Sequence, residues 1–351
     1  MSLYNIEVFD RTYLCVFHDS VERPEYRVDY LSPVDNTCQV KKTSALQEGQ
    51  FIRITGEDYD FFGVISSVGN DQEGITTVYY RHFLAAFAVP ILFDTTYQKN
   101  TPLEETIAHY VQNVFVSNSD ALQNISGLSI RTETSTRFTF SLKPDTEGGK
   151  YCVVDFYDAL IAPALSKYGV AIEVEADPQA KTIELTVRKV AEVVTIEADL
   201  PNVFECRTTV AETSNNINKL IVYNDANYNK IIYYLHPDRT YDTNNTNRII
   251  PVARSIEIVS VSSGQTFAQA AADAAEETFG DIDISNLIEV DVANTDHLVK
   301  PYLRRIGERT TIIKAGKAYK SILTGKTVGE YTTLVYGAMR LDITDLIRKG
   351  V

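Results

Sequence analysis

The chain has few of the residues that usually carry chemistry. Its four cysteines (Cys15, Cys38, Cys152, Cys206) lie far apart and form no C-x-x-C pair, so buried free thiols are expected, with no disulfide framework or zinc cluster. Five histidines (His18, His82, His109, His236, His297) are equally scattered, and no metal-ligand spacing occurs. The opening "MSLYNIEVFD" has no basic segment leading into an apolar one, so no secretory leader is expected. The longest apolar run, "FLAAFAVPILF" at 83–93, is too short to cross a bilayer and is broken by Pro90. These absences predict a soluble chain made in the cytoplasm, with no membrane insertion.

Positive charge is also short. A net charge of −14 argues against a dedicated or sequence-specific nucleic-acid binder, because phosphate affinity rests on Lys and Arg. The deficit is uneven: residues 1–98 hold 14 acids against 7 bases, while 300–326 hold eight bases and one acid, Glu308.

What the 351 residues do contain is a globular composition, 44% hydrophobic and 23% charged, long enough for two or three domains. Its 21 Tyr and 15 Phe, with many Val, Ile and Thr, favour strands. From 3 to 98, short alternating segments such as "LYNIEVFD", "FIRITG", "FFGVISSVG" and "ITTVYYRHF" predict an antiparallel barrel or sandwich, with Gly63 at a bend. "TPLEETIAHYVQNVF" predicts a helix with Thr101 as N-cap, Pro102 at its first position and Glu104 completing a capping box. Leu103, Ile107, Tyr110, Val111 and Val114 form its apolar face. Strands at "LSIRTET" and "RFTFSLK", a helix from Asp155 to Tyr168 kinked by Pro163 and stopped by Gly169, and the hairpin "GVAIEVEAD-PQAK-TIELTVRKV" complete an α+β unit. Strands resume after 193, interrupted by the polar segment 237–248, expected as an exposed loop. An Ala-rich helix near 266–280 follows, capped by Thr266 and Gln269 and stopped by Gly280. "LIEVDVA", "RTTIIKAG", "AYKSILTGKTV", "YTTLVYG" and "AMRLDIT" predict the closing strands.

One short stretch occurs twice. "ITTVYY" at 75–80 and "YTTLVY" at 331–336 share both Thr and the final Tyr. Their surroundings share an order of elements: strand, Gly turn, aromatic-led strand, Gly, then the common strand, with Tyr59 set against Tyr319. This predicts one building block used in two places. The expected fold is α+β, mainly β: two similar antiparallel β-barrel domains (1–98 and 196–351) around a small α+β domain (99–195).

"GEDYDFFGVISSVGNDQEGITTVYYRHFLAAF" and "SGQTFAQAAADAAEETFGD…IEVDV…LRRIGERTTIIKAGKAYKSILTG" resemble the two barrel elements of tailed-bacteriophage baseplate-hub and tail-tip proteins, a module also found at the start of siphophage tail-associated proteins. The likeness covers almost the whole chain, through loose strand-and-turn patterns. Glu308 stands where the family's usual Asp follows the Gly. The resemblance implies a virion structural protein of the tail, assembled in the bacterial host cytoplasm. Three subunits would place two barrels each in a pseudo-sixfold ring between a hexameric tail tube and a threefold spike or fibre. Its implied partners are further copies of itself (a homotrimer), the distal tail protein, the tape-measure protein and the tip fibre or spike. DNA would leave through the ring, and an acidic wall would repel its phosphates. A second expectation is that the basic 300–326 stretch, with Arg304, Arg305 and Arg309, docks on a neighbour's acidic first barrel.

No catalytic, cofactor-binding or metal-binding residues are expected. "TDHL" (295–298) and "LHPD" (235–238) bring His near Asp, but close neighbours along a strand make poor dyads, and no nucleophile signature accompanies them. The alternatives are a cell-wall peptidase, testable on purified peptidoglycan, and a host-surface carbohydrate- or receptor-binding module using the Tyr-rich "YNDANYNKIIYYLH". Tyr in alternating strands more often packs a half-buried sheet.

Overall fold

The computed structural model describes residues 3–337 apart from 23, 42, 57–58, 71–73, 99–100, 137, 141, 191–192, 211–216, 237–240, 247, 249–251, 253, 262–264 and 280–285. It is mainly β, with five sheets and short helices.

The first sheet holds β1 (Leu3–Phe9), β2 (Cys15–Glu22), β4 (Asn36–Lys41), β5 (Phe51–Gly56), β6 (Tyr59–Asn70) and β7 (Ile75–His82) in the order β2-β1-β5-β6-β7-β4. Every pairing within it is antiparallel. Its strands alternate, so Ile6, Val8, Ile52, Ile54, Phe61 and Tyr80 point into one closed core. The two edge strands meet where the Lys41 N–H donates to Asp19 Oδ2 at 3.1 Å, which nearly closes the barrel. Gly63 marks a close approach: a Cβ there would lie 2.1 Å from the Arg81 carbonyl oxygen.

The outer face of this barrel packs on the α+β region through a cluster joining Phe9, Tyr13, Phe51 and Phe62 to Phe87, Phe115, Phe156 and Leu160. That region contains β8 (Pro90–Asp94) paired with β10 (Tyr151–Asp155), and β11 (Val170–Asp177), β12 (Thr182–Lys189) and β9 (Leu128–Thr132) in a three-stranded sheet. Helix α1 (Leu103–Val111) buries Leu103, Ile107, Tyr110 and Val111, the face expected from its periodicity. Its start differs from the expected capping box. Pro102 is the N-cap, Thr101 Oγ1 donates to the Tyr97 carbonyl, and Glu104 is fully buried. The Glu104 carboxylate accepts from Thr134 Oγ1 at 2.8 Å, Thr136 N–H at 3.1 Å and Thr136 Oγ1 at 2.9 Å. Tertiary donors outbid the local cap. In the expected strand "RFTFSLK", the described residues 138–140 are irregular, and the Phe138 carbonyl instead accepts the Leu103 N–H. A π-helical turn (Tyr157–Ile161) precedes α2 (Ala162–Tyr168), which stops at Gly169 in the left-handed region, φ 69°.

The second barrel uses β13 (Val193–Glu197), β14 (Val203–Val210), β19 (Asn286–Val292), β20 (Arg309–Lys314), β21 (Lys317–Val328) and β22 (Thr332–Tyr336), ordered β13-β20-β21-β22-β19-β14. Ile288, Val290, Ile312, Leu323, Leu334 and Tyr336 fill it. Lys314 Nζ, which donates to the Cys206 carbonyl, bridges β20 to β14. One strand departs from the antiparallel expectation: β13 runs parallel to β20.

Between β14 and β19 lies a further sheet with its own core, β17 (Tyr241–Asp242), β16 (Lys230–Leu235), β15 (Lys219–Asn224) and β18 (Arg254–Val259), in that order. Helix α3 (Phe267–Phe279) covers one face through Ala271, Ala274 and Ala275, whose small side chains allow close packing on Leu220 and Val222. The Thr266–Gln269 capping box forms as expected. Its stop, Gly280, and the strand "AMRLDIT" lie outside the described residues.

Candidate functional site: the repeated strand and the junction of the barrels

The repeated stretch occupies matching places. In the first barrel Phe51 faces Val64 and Gly56 faces Tyr59; in the second Arg309 faces Ile322 and Lys314 faces Lys317. β6 and β21 are both twelve residues long, and each carries a register shift at the same step, Ile65/Ser67 and Leu323/Gly325. Across that bulge the pairing runs from Ile65–Tyr80 to Asn70–Thr76 in one barrel and from Leu323–Tyr336 to Val328–Thr332 in the other. Thr76–Thr77 therefore match Thr332–Thr333, and Tyr80 matches Tyr336. Burial follows: Thr76, Val78 and Tyr80 are buried, as are Thr332, Leu334 and Tyr336. One expected correspondence moves. The register sets Tyr59 against Lys317, and Tyr319 against Phe61.

The barrels are joined by a strand that the first barrel does not keep. β3 (Tyr26–Asp29) leaves its own sheet and pairs antiparallel with the far half of β21, from Tyr26–Val328 to Asp29–Gly325. Gly325 permits this contact, since a Cβ there would sit 3.1 Å from the Val28 carbonyl oxygen. The next residue, Tyr30, links all three regions. Its N–H donates to the Thr324 carbonyl at 2.9 Å, its carbonyl accepts from Tyr157 Oη at 2.6 Å, and its hydroxyl accepts the Ile172 N–H at 2.6 Å. Burial pushes its hydroxyl pKa above the usual phenol range.

Around this seam lies a cleft of about 710 Å³, lined by Tyr26, Asp60, Glu173, Tyr302, Arg305 and Lys326 among others. Several of its charges are matched inside the chain. Arg304 sits 3.1 Å from both Glu308 oxygens, and Arg305 and Arg188 approach Glu173 at 3.6 and 2.6 Å. Lys326 Nζ donates to the Pro301 carbonyl at 2.7 Å. Burial, with Arg304 nearby, pulls its pKa down to about 8. The basic 300–326 stretch therefore uses Arg304, Arg305 and Lys326 in its own fold, which charge counting along the sequence could not reveal.

Among the described residues no group of three or more His, Cys, Asp or Glu side chains could hold a metal ion, and no helix is long and apolar enough to cross a membrane. Of the His–Asp neighbours read from the sequence, Asp238 lies outside the described residues. Asp296 accepts the Leu298 and Val299 N–H groups, whereas His236 Nε2 lies 3.0 Å from Asp242 Oδ1. The Tyr-rich strands split between faces: Tyr233 packs in the core under α3 near Tyr241, while Tyr234 lies beneath Lys219.

This arrangement has the fold of solved phage and prophage tail proteins. No family model and no curated relative matches the sequence. Solved structures do match. A tail protein from Neisseria meningitidis aligns over 95% of this chain and 96% of its own, with a TM-score of 0.54 and 14% identity. A 43 kDa tail protein of prophage MuSo2 from Shewanella oneidensis covers 95% and 98%, with a TM-score of 0.53 and 15% identity. A prophage tail protein from Listeria monocytogenes covers 98% and 97%, with a TM-score of 0.50 and 12% identity.

Proposed function

We propose that this chain is a structural, non-enzymatic component of a phage or prophage tail tip or baseplate. Three copies form a ring whose six like barrels meet the hexameric tail tube on one side and a threefold fibre or spike on the other. In this reading 1–98 and 196–351 supply the ring barrels and 99–195 braces the first of them. The distal tail protein and the tape-measure protein are its neighbours, the virion tail is its location, and ejected DNA passes through its centre. The observation that carries the reading is the shared register of β5–β6–β7 and β20–β21–β22, because two like faces per chain let a trimer meet a hexamer. The tail-protein fold found for the solved neighbours supports the same class. The chain's −14 charge suits a passage for a polyanion.

Negative-stain imaging of the chain with its distal tail protein tests this. Threefold rings with six lobes are expected; single subunits bound one by one would contradict it. Peptidoglycan turnover by the purified chain would return the enzyme reading.

A further inference from the structure

The two barrels treat the same strand edge differently. In the second, the half of β21 beyond its bulge has β22 on one side and β3 on the other. In the first, the matching half of β6, Ser67–Asn70, has β7 on one side, and among the described residues no strand pairs with its other side. Burial records the contrast: Gly325 is buried beneath β3, whereas its counterpart Ser67 is exposed. An open edge of this kind offers N–H and C=O groups to another strand.

The chain itself shows what covers such an edge. β3 belongs to the connection between β2 and β4 of one barrel and reaches across to the other. The corresponding connection of the second barrel, between β14 and β19, holds β15–β18 and α3. Of those strands, β15 and β16 have neighbours on both sides and β17 is two residues long. β18 has six residues and, among the described residues, one strand neighbour, β15. It also leaves Ile256 and Ile258 55% and 62% exposed, an apolar edge strand of the sort proteins normally cover.

We propose that the open edge of β6, Ser67–Asn70, is a docking site for a second copy of this chain, which adds its β18 as an extra strand. The contact is heterologous: the second barrel's connection on one copy meets the first barrel of the next. It repeats between chains what β3 and β21 do within one, so first and second barrels alternate around the ring. The proposal rests on the three-copy reading above and names the surface that would close it.

The test places a benzoyl-phenylalanine photocrosslinker at Ser67 of the full chain, irradiates the assembled ring, and maps the adduct by mass spectrometry. Hydrogen exchange at Ser67–Asn70 is measured on the unmodified ring in parallel. The expected results are an intermolecular adduct within Arg254–Val259 and amide exchange at least tenfold slower in the ring than in dilute chain. A trimer by mass whose Ser67–Asn70 amides exchange freely, or whose adducts map elsewhere, overturns the docking site and leaves the ring reading standing. A chain that never oligomerises, alone or with its distal tail protein, overturns both.

Discussion

In the first barrel Tyr80 is fully buried and its hydroxyl donates to the Glu25 carbonyl. In the second, Tyr336 holds the matching position, equally buried, and its hydroxyl faces the Thr310 side chain without reaching full hydrogen-bond geometry. The pattern recurs along the shared strands. Gly63, pressed against the Arg81 carbonyl, matches Ser321, whose Oγ donates to Asn286 Oδ1 at 2.9 Å. Exposed Ser67 matches buried Gly325, and half-buried Val68 matches Lys326 at the seam. Register and the in–out alternation are held in common, while the polar contacts of each barrel are its own. What repeats is what closes the sheet; what differs is what each barrel meets outside it.

Truncating the matched tyrosines challenges the shared part. Tyr80→Ala and Tyr336→Ala should each cost about 3–5 kcal/mol in denaturant unfolding, since both remove a ring that fills a barrel core. A cost under 1 kcal/mol at either site would break the equivalence. Placing Ala at the matched position separates the barrels: Gly63→Ala should cost about 3 kcal/mol through overpacking against backbone, whereas Ser321→Ala should cost about 1 kcal/mol, the loss of one hydrogen bond. Removing only the hydroxyls sharpens the contrast. Tyr80→Phe strands the Glu25 carbonyl and should cost about 1–2 kcal/mol, while Tyr336→Phe should be neutral within about 0.5 kcal/mol or mildly stabilising.

A further effect is a slope. Lys326 is held down to about 8 in the fold, and an unfolded Lys titrates near 10.5. Between those values the unfolded chain binds more protons, so Lys326 adds stability as pH rises through the window, and the cost of burying its charge is present in full below it. Lys326→Met should therefore flatten the rise in unfolding free energy between pH 8 and 10.5. An unchanged slope would show the ammonium group to be solvated.

Much of this was legible in the sequence. The succession of strands along the chain, the apolar face of α1, the Thr266–Gln269 cap and the match of the two Thr-Thr strands all follow from local pattern, where period and turn residues decide. What escaped was non-local. Tyr26–Asn36 reads as ordinary barrel strand and turn, because β3 looks the same whichever sheet receives it. Glu104 has the spacing of a capping residue, and its partners Thr134 and Thr136 lie thirty residues away in the chain. "RFTFSLK" alternates like a strand, yet Phe140 is buried from an irregular segment. The parallel pairing of β15 with β18 left no trace in either strand's own residues.

The number of barrels per ring is the deciding quantity. A cryo-electron microscopy map of the ring bound to its tail tube should show three chains contributing six lobes, first and second barrels alternating. Six chains presenting one barrel type to the tube would contradict it.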